Sequence, residues 1–303
     1  VNLFPLEYIP GLVWKMLSVI GFAGATLLLY EIQRTEPALS PVQISFFQSS
    51  LPLVFMLLVN RKFWGKGLVS LGLTGNPKNA LLRATCGVFG FLSWTWSLKL
   101  LPLGVAASFR LLGPVVTFLA AVLFLKEKPS WGVSVALVLS LMGSGFLAHR
   151  EIAALHLWAP GSWANFLALG IPLCTLVAFA GANLFGKRLL SGERAVSPVE
   201  ATLSLLLLSS FSLGILVMPL WVWPSPRQWL VLSLVGGLDA FAQWSLSQAL
   251  HLSPLSLISP LSVWRFALLA LGSVFIFHEP PRPELWLGIL VMLGMTALLM
   301  RGR

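Results

Sequence analysis

The sequence predicts an all-α integral membrane fold of ten transmembrane helices, arranged as two inverted five-helix repeats. Three observations carry that prediction. The 303-residue chain is 57% hydrophobic and 10% charged, whereas a soluble domain carries about a quarter charged residues. The apolar residues fall in runs close to the ~20 residues that span a bilayer. The same short phrases also recur in both halves of the chain.

The repeats are legible residue by residue. Phe22-Ala23-Gly24-Ala25-Thr26-Leu27 returns as Phe179-Ala180-Gly181-Ala182-Asn183-Leu184, and Ser40-Pro41-Val42-Gln43 as Ser197-Pro198-Val199-Glu200. Ser97-Leu98-Lys99-Leu100-Leu101-Pro102-Leu103 returns as Ala249-Leu250-His251-Leu252-Ser253-Pro254-Leu255. Phe124-Leu125-Lys126-Glu127 returns as Ile276-Phe277-His278-Glu279. The register changes between the first two and last three spans of each half. A longer connector at 61–78 in the first half accounts for it, because loops tolerate insertions.

The predicted spans are 11–30, 42–60, 79–101, 104–125, 130–148, 162–185, 198–221, 228–250, 255–277 and 284–300. The halves are therefore 1–150 and 151–303. Five spans per half is an odd number, so the second copy enters the membrane from the opposite side. Two upside-down copies can exchange shapes, which opens the opposite face. No cleavable signal peptide is expected, since the first run is long enough to span and lacks a small-residue cleavage site.

Basic residues set the orientation. Arg61, Lys62, Lys66 and Lys78 share one connector; Lys126 and Lys128, then Lys187, Arg188 and Arg194, occupy two others. The alternate connectors hold little. Both termini are expected on the cytoplasmic side of a cytoplasmic membrane. Trp14, Trp64, Trp131, Trp158, Trp163, Trp221, Trp223, Trp229 and Trp286 lie near span ends, as in an interfacial belt. The net charge of +10 sits in these connectors, a topology signal that argues against nucleic acid as a partner. The expected partners are a small-molecule solute and the lipid bilayer, with the chain a monomer or homodimer.

Cys86 and Cys174 lie inside apolar runs and read as small packers. No HExxH, Walker loop, GxSxG or Cys/His cluster is present. An enzyme and a bound cofactor are both unexpected, and concentrative transport must draw on an ion or solute gradient.

Small residues Ala106-Ala107-Ser108, then Pro114, Glu127, Gly132 and Gly143-Ser144-Gly145 form one signature. Ser259-Pro260, Glu279, Gly288 and Gly294 repeat it. With this pattern the whole chain resembles the ten-span EamA-type permeases of the drug/metabolite transporter superfamily. The resemblance implies a permease for amino acids, nucleosides, metabolites or drugs, often exporting them in exchange for protons. The second copy departs from the pattern where Arg265-Phe266 stand in place of Gly113-Pro114.

Charges kept in hydrocarbon are costly and mark functional candidates. Asp239 lies roughly 18 Å and Arg265 roughly 15 Å into their spans at 1.5 Å per residue. Arg110 is shallower. Gln243 shares a face with Asp239, and Ser262 with Arg265. The functional reading is a polar cavity in which Arg110 and Arg265 hold a carboxylate or phosphate, while Asp239 orients Arg265 or takes up a proton. The competing reading is a structural Asp239–Arg265 ion pair. Trp94, Trp96, Trp244 and Trp264 lie away from the interface; Trp94 and Trp264 are candidate cavity walls for a planar, aromatic or cationic solute, the competing reading being lipid-facing or core packing. Gln43, Gln48, Asn183 and Gln248 add hydrogen-bonding groups or serve as interhelical glue. Arg83 is expected to snorkel and Lys15 to sit at interfacial depth. Glu127 and Glu279 are read as helix-end anchors. Pro52, Pro114, Pro172 and Pro260 fall inside spans and can kink them.

The expected function is a secondary active transporter, an exporter of small organic metabolites such as amino acids, working by alternating access with proton coupling as an option. The alternatives are a multidrug or organic-cation exporter, and a lipid translocase or passive pore.

Overall fold

The repeated Ser-Pro quartets open helices. Ser40 accepts the Gln43 amide at 3.1 Å, and Ser197 accepts the Glu200 amide at 3.2 Å. In each case Pro occupies the first turn, where its missing N–H costs nothing. Ser225-Pro226 and Asn76-Pro77 start two further helices in the same way.

The computed structural model describes residues 6–33, 38–61, 75–101, 103–154, 163–192, 194–276 and 283–300, and among these no strand occurs. The helices are α1 Ile9–Ile32, α2 Pro41–Val59, α3 Pro77–Leu100, α4 Leu103–Phe109, α5 Gly113–Phe124, α6 Trp131–Ala154 and α7 Trp163–Leu189. They continue with α8 Pro198–Val217, α9 Pro226–Leu252, α10 Leu255–Ile258, α11 Trp264–Ile276 and α12 Pro283–Met300. A 3₁₀ turn at Arg110–Leu112 joins α4 to α5, and another at Pro260–Val263 joins α10 to α11.

Among the described residues, seven stretches are long and apolar enough to cross a bilayer: Ile9–Ile32, Pro41–Val59, Ala106–Phe124, Gly170–Leu189, Pro198–Leu220, Pro226–Leu252 and Leu255–Gly272. Trp131–Gly143 and Trp286–Ala297 are apolar but shorter. The tenth expected span, α3, is 24 residues long but is diluted by Lys78, Arg83 and Lys99. Outward-facing side chains are apolar, including Phe89, Val177 and Leu230, whereas Gln43, Ser45, Thr95 and Asp239 are buried. Polar inside and apolar outside is the arrangement a bilayer imposes.

Two close antiparallel crossings frame the interior. In α1 against α9, a Cβ on Gly21 would stand 2.9 Å from Ala242 Cβ. In α3 against α7, a Cβ on Gly181 would stand 2.8 Å from Cys86 Sγ. Helices approach this closely in membranes through small residues. Helix α2 packs on α8, and α6 on α12.

Glu127 ties the first sequence half to the second. Its Oε1 accepts the Leu255 amide at 2.9 Å, while Oε2 accepts the Ser256 amide at 2.8 Å and the Ser256 hydroxyl at 2.6 Å. The anchor expected from sequence is thus a cap, but on α10 of the other half rather than on its own helix. Lys126 takes the left-handed conformation at φ 56, which ends α5 and leads into Glu127. Glu279 lies outside the described residues. Glu127→Ala leaves two helix-start amides unpaired and is expected to lower stability by about 1–2 kcal/mol, read as a fall in thermal midpoint in detergent.

Candidate functional site

The two broken helices exist because their sequences forbid continuity. Pro114 and Pro260 lack an amide hydrogen, and each clashes with the carbonyl one turn earlier. Both breaks face a cavity walled by α1, α3, α7 and α9. Broken helices facing a midplane site recur in secondary transporters. Arg110 begins one 3₁₀ turn and Arg265 follows the other, so both guanidinium groups are set where the backbone is interrupted.

Arg110 Cζ lies 4.3 Å from the Trp94 ring centroid and 4.8 Å from that of Phe179. Its Nη1 is buried with no hydrogen-bond partner. Arg265 Cζ lies 5.1 Å from the Phe22 ring and 5.8 Å from the Trp94 ring. Its Nη2 donates to the Phe22 carbonyl at 3.1 Å and to Thr26 Oγ1 at 2.6 Å, while its Nε is buried and unpaired. Trp94 is therefore shared by both arginines, and its own Nε1 is buried without a partner. Stacking on aromatic faces holds a guanidinium without consuming its N–H groups.

Of the residues singled out from sequence, Arg110, Arg265, Asp239, Gln243, Ser262 and Trp94 meet at this cavity. Gln48 and Asn183 join them. Trp264 and Gln43 are not in the lining. Trp264 precedes Arg265 by one residue and so points away from it; its Nε1 donates to Thr296 Oγ1 at 2.8 Å. Gln43 clasps the segment after α8, donating through Nε2 to the Val222 carbonyl and accepting the Val222 amide at 3.2 Å. The Asp239–Arg265 ion pair does not form: Arg265 is turned onto α1 by Phe22 and Thr26, and Asp239 Oδ2 is buried without a partner. An ion pair does form at the periphery, Arg227 to Glu31 at 3.5 Å.

Two further cations reach the cavity. Lys15 is 7% exposed and lines it, rather than lying at the interface. Arg83 is 2% exposed rather than snorkelling. Its Nη1 donates to the Ala201 carbonyl at 2.9 Å and its Nη2 to Ser247 Oγ at 3.2 Å. A helical spacing signal existed for both: Lys15, Val19 and Phe22 share one face, as do Arg83, Gly87, Phe91 and Trp94. Distance from the span end misled, because α1 and α3 run far enough to carry these positions beneath the surface.

Comparison with known proteins accords with this architecture. Residues 9–148 match the EamA-like transporter family. A riboflavin transporter of Vibrio cholerae is 27% identical over 70% of this chain and 67% of its own length. An S-adenosylmethionine uptake transporter of Rickettsia prowazekii is 21% identical over 95% of this chain and 92% of its own. A riboflavin transporter of Rhizobium johnstonii is 24% identical over 98% and 93%. A solved crystal structure superposes with a TM-score of 0.72 at 17% identity, covering 93% of this chain and 96% of that one.

Arg83 and Arg110 differ in a way that stability can read. Arg83 is bonded to backbone and side chain, so Arg83→Met should destabilise by about 1–3 kcal/mol. Arg110 has a buried unpaired N–H, so Arg110→Met should leave the thermal midpoint unchanged or raise it. Differential scanning fluorimetry in detergent checks both.

Proposed function

We propose that this EamA-family membrane transporter carries small organic metabolites bearing an acidic group, amino acids among them, by alternating access. The observation that carries the reading is Arg110. It is a guanidinium stacked on Trp94 and Phe179 inside the fold, with an N–H group that no protein atom accepts. A buried donor without a partner is costly, and a carboxylate or phosphate from a solute satisfies it through a forked bond. Arg265 also lines the cavity, and its Nε is buried without a partner.

The inverted ten-span arrangement is part of this reading. It is supported by contacts that recur between repeat-equivalent residues. A Cβ on Gly24 would stand 3.3 Å from Leu238 Cδ1, and its counterpart Gly181 faces Cys86 Sγ, the repeat equivalent of Leu238. Phe22 and its counterpart Phe179 each receive a guanidinium, Arg265 and Arg110, although Arg265 matches Gly113 rather than Arg110 in the repeat. Two halves built alike around one cavity can exchange shapes and expose it to alternate faces. Placement in a cytoplasmic membrane with both termini inside rests on the Lys/Arg bias of the connectors.

The cations around the cavity weigh against an organic-cation exporter. The Rickettsia prowazekii relative is named as an uptake transporter, so the proposed direction is inward, in place of the export expected from the resemblance. Asp239, 3% exposed with an unpaired Oδ2, is the group placed to carry a coupled proton.

In proteoliposomes, flux should saturate and show trans-stimulation; linear flux would indicate a pore. Arg110→Met and Arg265→Ala should each lower solute flux by at least about tenfold, the scale of one lost charge-assisted bond. Asp239→Asn should abolish dependence on a pH gradient while preserving counterflow exchange; unchanged gradient dependence would reject the coupling role.

A further inference from the structure

We infer that the solute held in this cavity is a dianion, a phosphate monoester or a dicarboxylate, and that Lys15 selects for the second negative charge. The inference rests on the carrier reading above and deepens it.

The cavity is lined by four cations, Lys15, Arg83, Arg110 and Arg265, and by one carboxylate, Asp239. Arg83 donates through both terminal nitrogens, to Ala201 and Ser247. Arg265 is half engaged with α1. Arg110 rests on aromatic rings, which take none of its N–H groups. Lys15 is buried, faces the cavity, and makes no hydrogen bond or ion pair among the described residues. It lies within repulsive reach of Arg265 and Arg110.

Like charges buried together repel strongly where the dielectric is low. One carboxylate cannot offset three under-used cations, and a solute with a single negative charge leaves the excess standing. A phosphate monoester or paired carboxylates supply both the second charge and several acceptor oxygens. The free donors are of two kinds that suit such a group. Arginine forks grip planar oxygen pairs, and the Lys15 ammonium is a compact point charge that meets an oxygen from any side. Lys15 also has no structural partner to explain its burial, which separates it from Arg83.

The test uses matched probes with the intact protein in proteoliposomes at constant ionic strength. Riboflavin 5′-phosphate is compared with riboflavin, and phthalate with benzoate. The first pair isolates a phosphate source of the dianion and the second a dicarboxylate source. The dianionic member of at least one pair should half-saturate counterflow at a tenfold lower concentration than its partner. Lys15→Met and Lys15→Gln should shrink that preference to threefold or less, with a thermal midpoint equal to or above that of the wild type. A structural lysine would instead lower the midpoint in both variants and leave the preference intact, which overturns the inference. It is overturned equally if the less charged member is preferred or matched, or if none of the four probes exchanges. Arg110-dependent, trans-stimulated exchange of benzoate without a dianion preference would sink this inference while leaving the carrier reading standing.

Discussion

A cation held in a low-dielectric interior without a partner is the constraint on which the rest of this structure depends. Hydrocarbon outside the helices offers no hydrogen bonds, so each buried charge must be met by protein, by water or by a solute. Arg83 is met by protein, between the Ala201 carbonyl and Ser247. Arg265 is partly met, by the Phe22 carbonyl and Thr26. Arg110 is met only by aromatic faces. This gradation of engagement lies along the wall of one cavity.

The backbone is shaped to the same end. Proline breaks at Pro114 and Pro260 interrupt the two helices that carry Arg110 and Arg265. A continuous helix would satisfy its own amides and carbonyls and present only side chains. The 3₁₀ turns instead set the arginines where the regular helix is interrupted. Close crossings of α1 on α9 and α3 on α7 hold the walls at small residues. Glu127 binds the end of α5 to the start of α10 across the two halves through charge-assisted bonds.

Much of this was legible in the residues. The quartets at Ser40 and Ser197 predicted equivalent helix starts, and both are helix caps. Their fourth residues then diverge: Glu200 returns to its own cap, while Gln43 leaves to clasp Val222. Mid-span depth singled out Asp239 and Arg265, and charge inside an apolar run singled out the shallower Arg110, because both are local signals. Depth failed for Lys15 and Arg83, whose burial depends on how far α1 and α3 extend and on what packs above them. Trp264 is a candidate cavity wall by its distance from the interface, yet it sits one residue from Arg265, and one residue along a helix turns a side chain by about 100°.

By itself the sequence determined an all-helical membrane protein, the phrases that recur along it, and the costly charges inside it. Those follow from composition, run length and periodicity, which are properties of the chain read one stretch at a time. Only the tertiary structure decided which charges are satisfied. The partners of Arg83, Arg265 and Glu127 lie far away in the chain, and the expected Asp239–Arg265 pair gives way to a bond with α1. Engagement of a buried charge is a matter of a few ångströms between distant segments, and no local pattern encodes that distance.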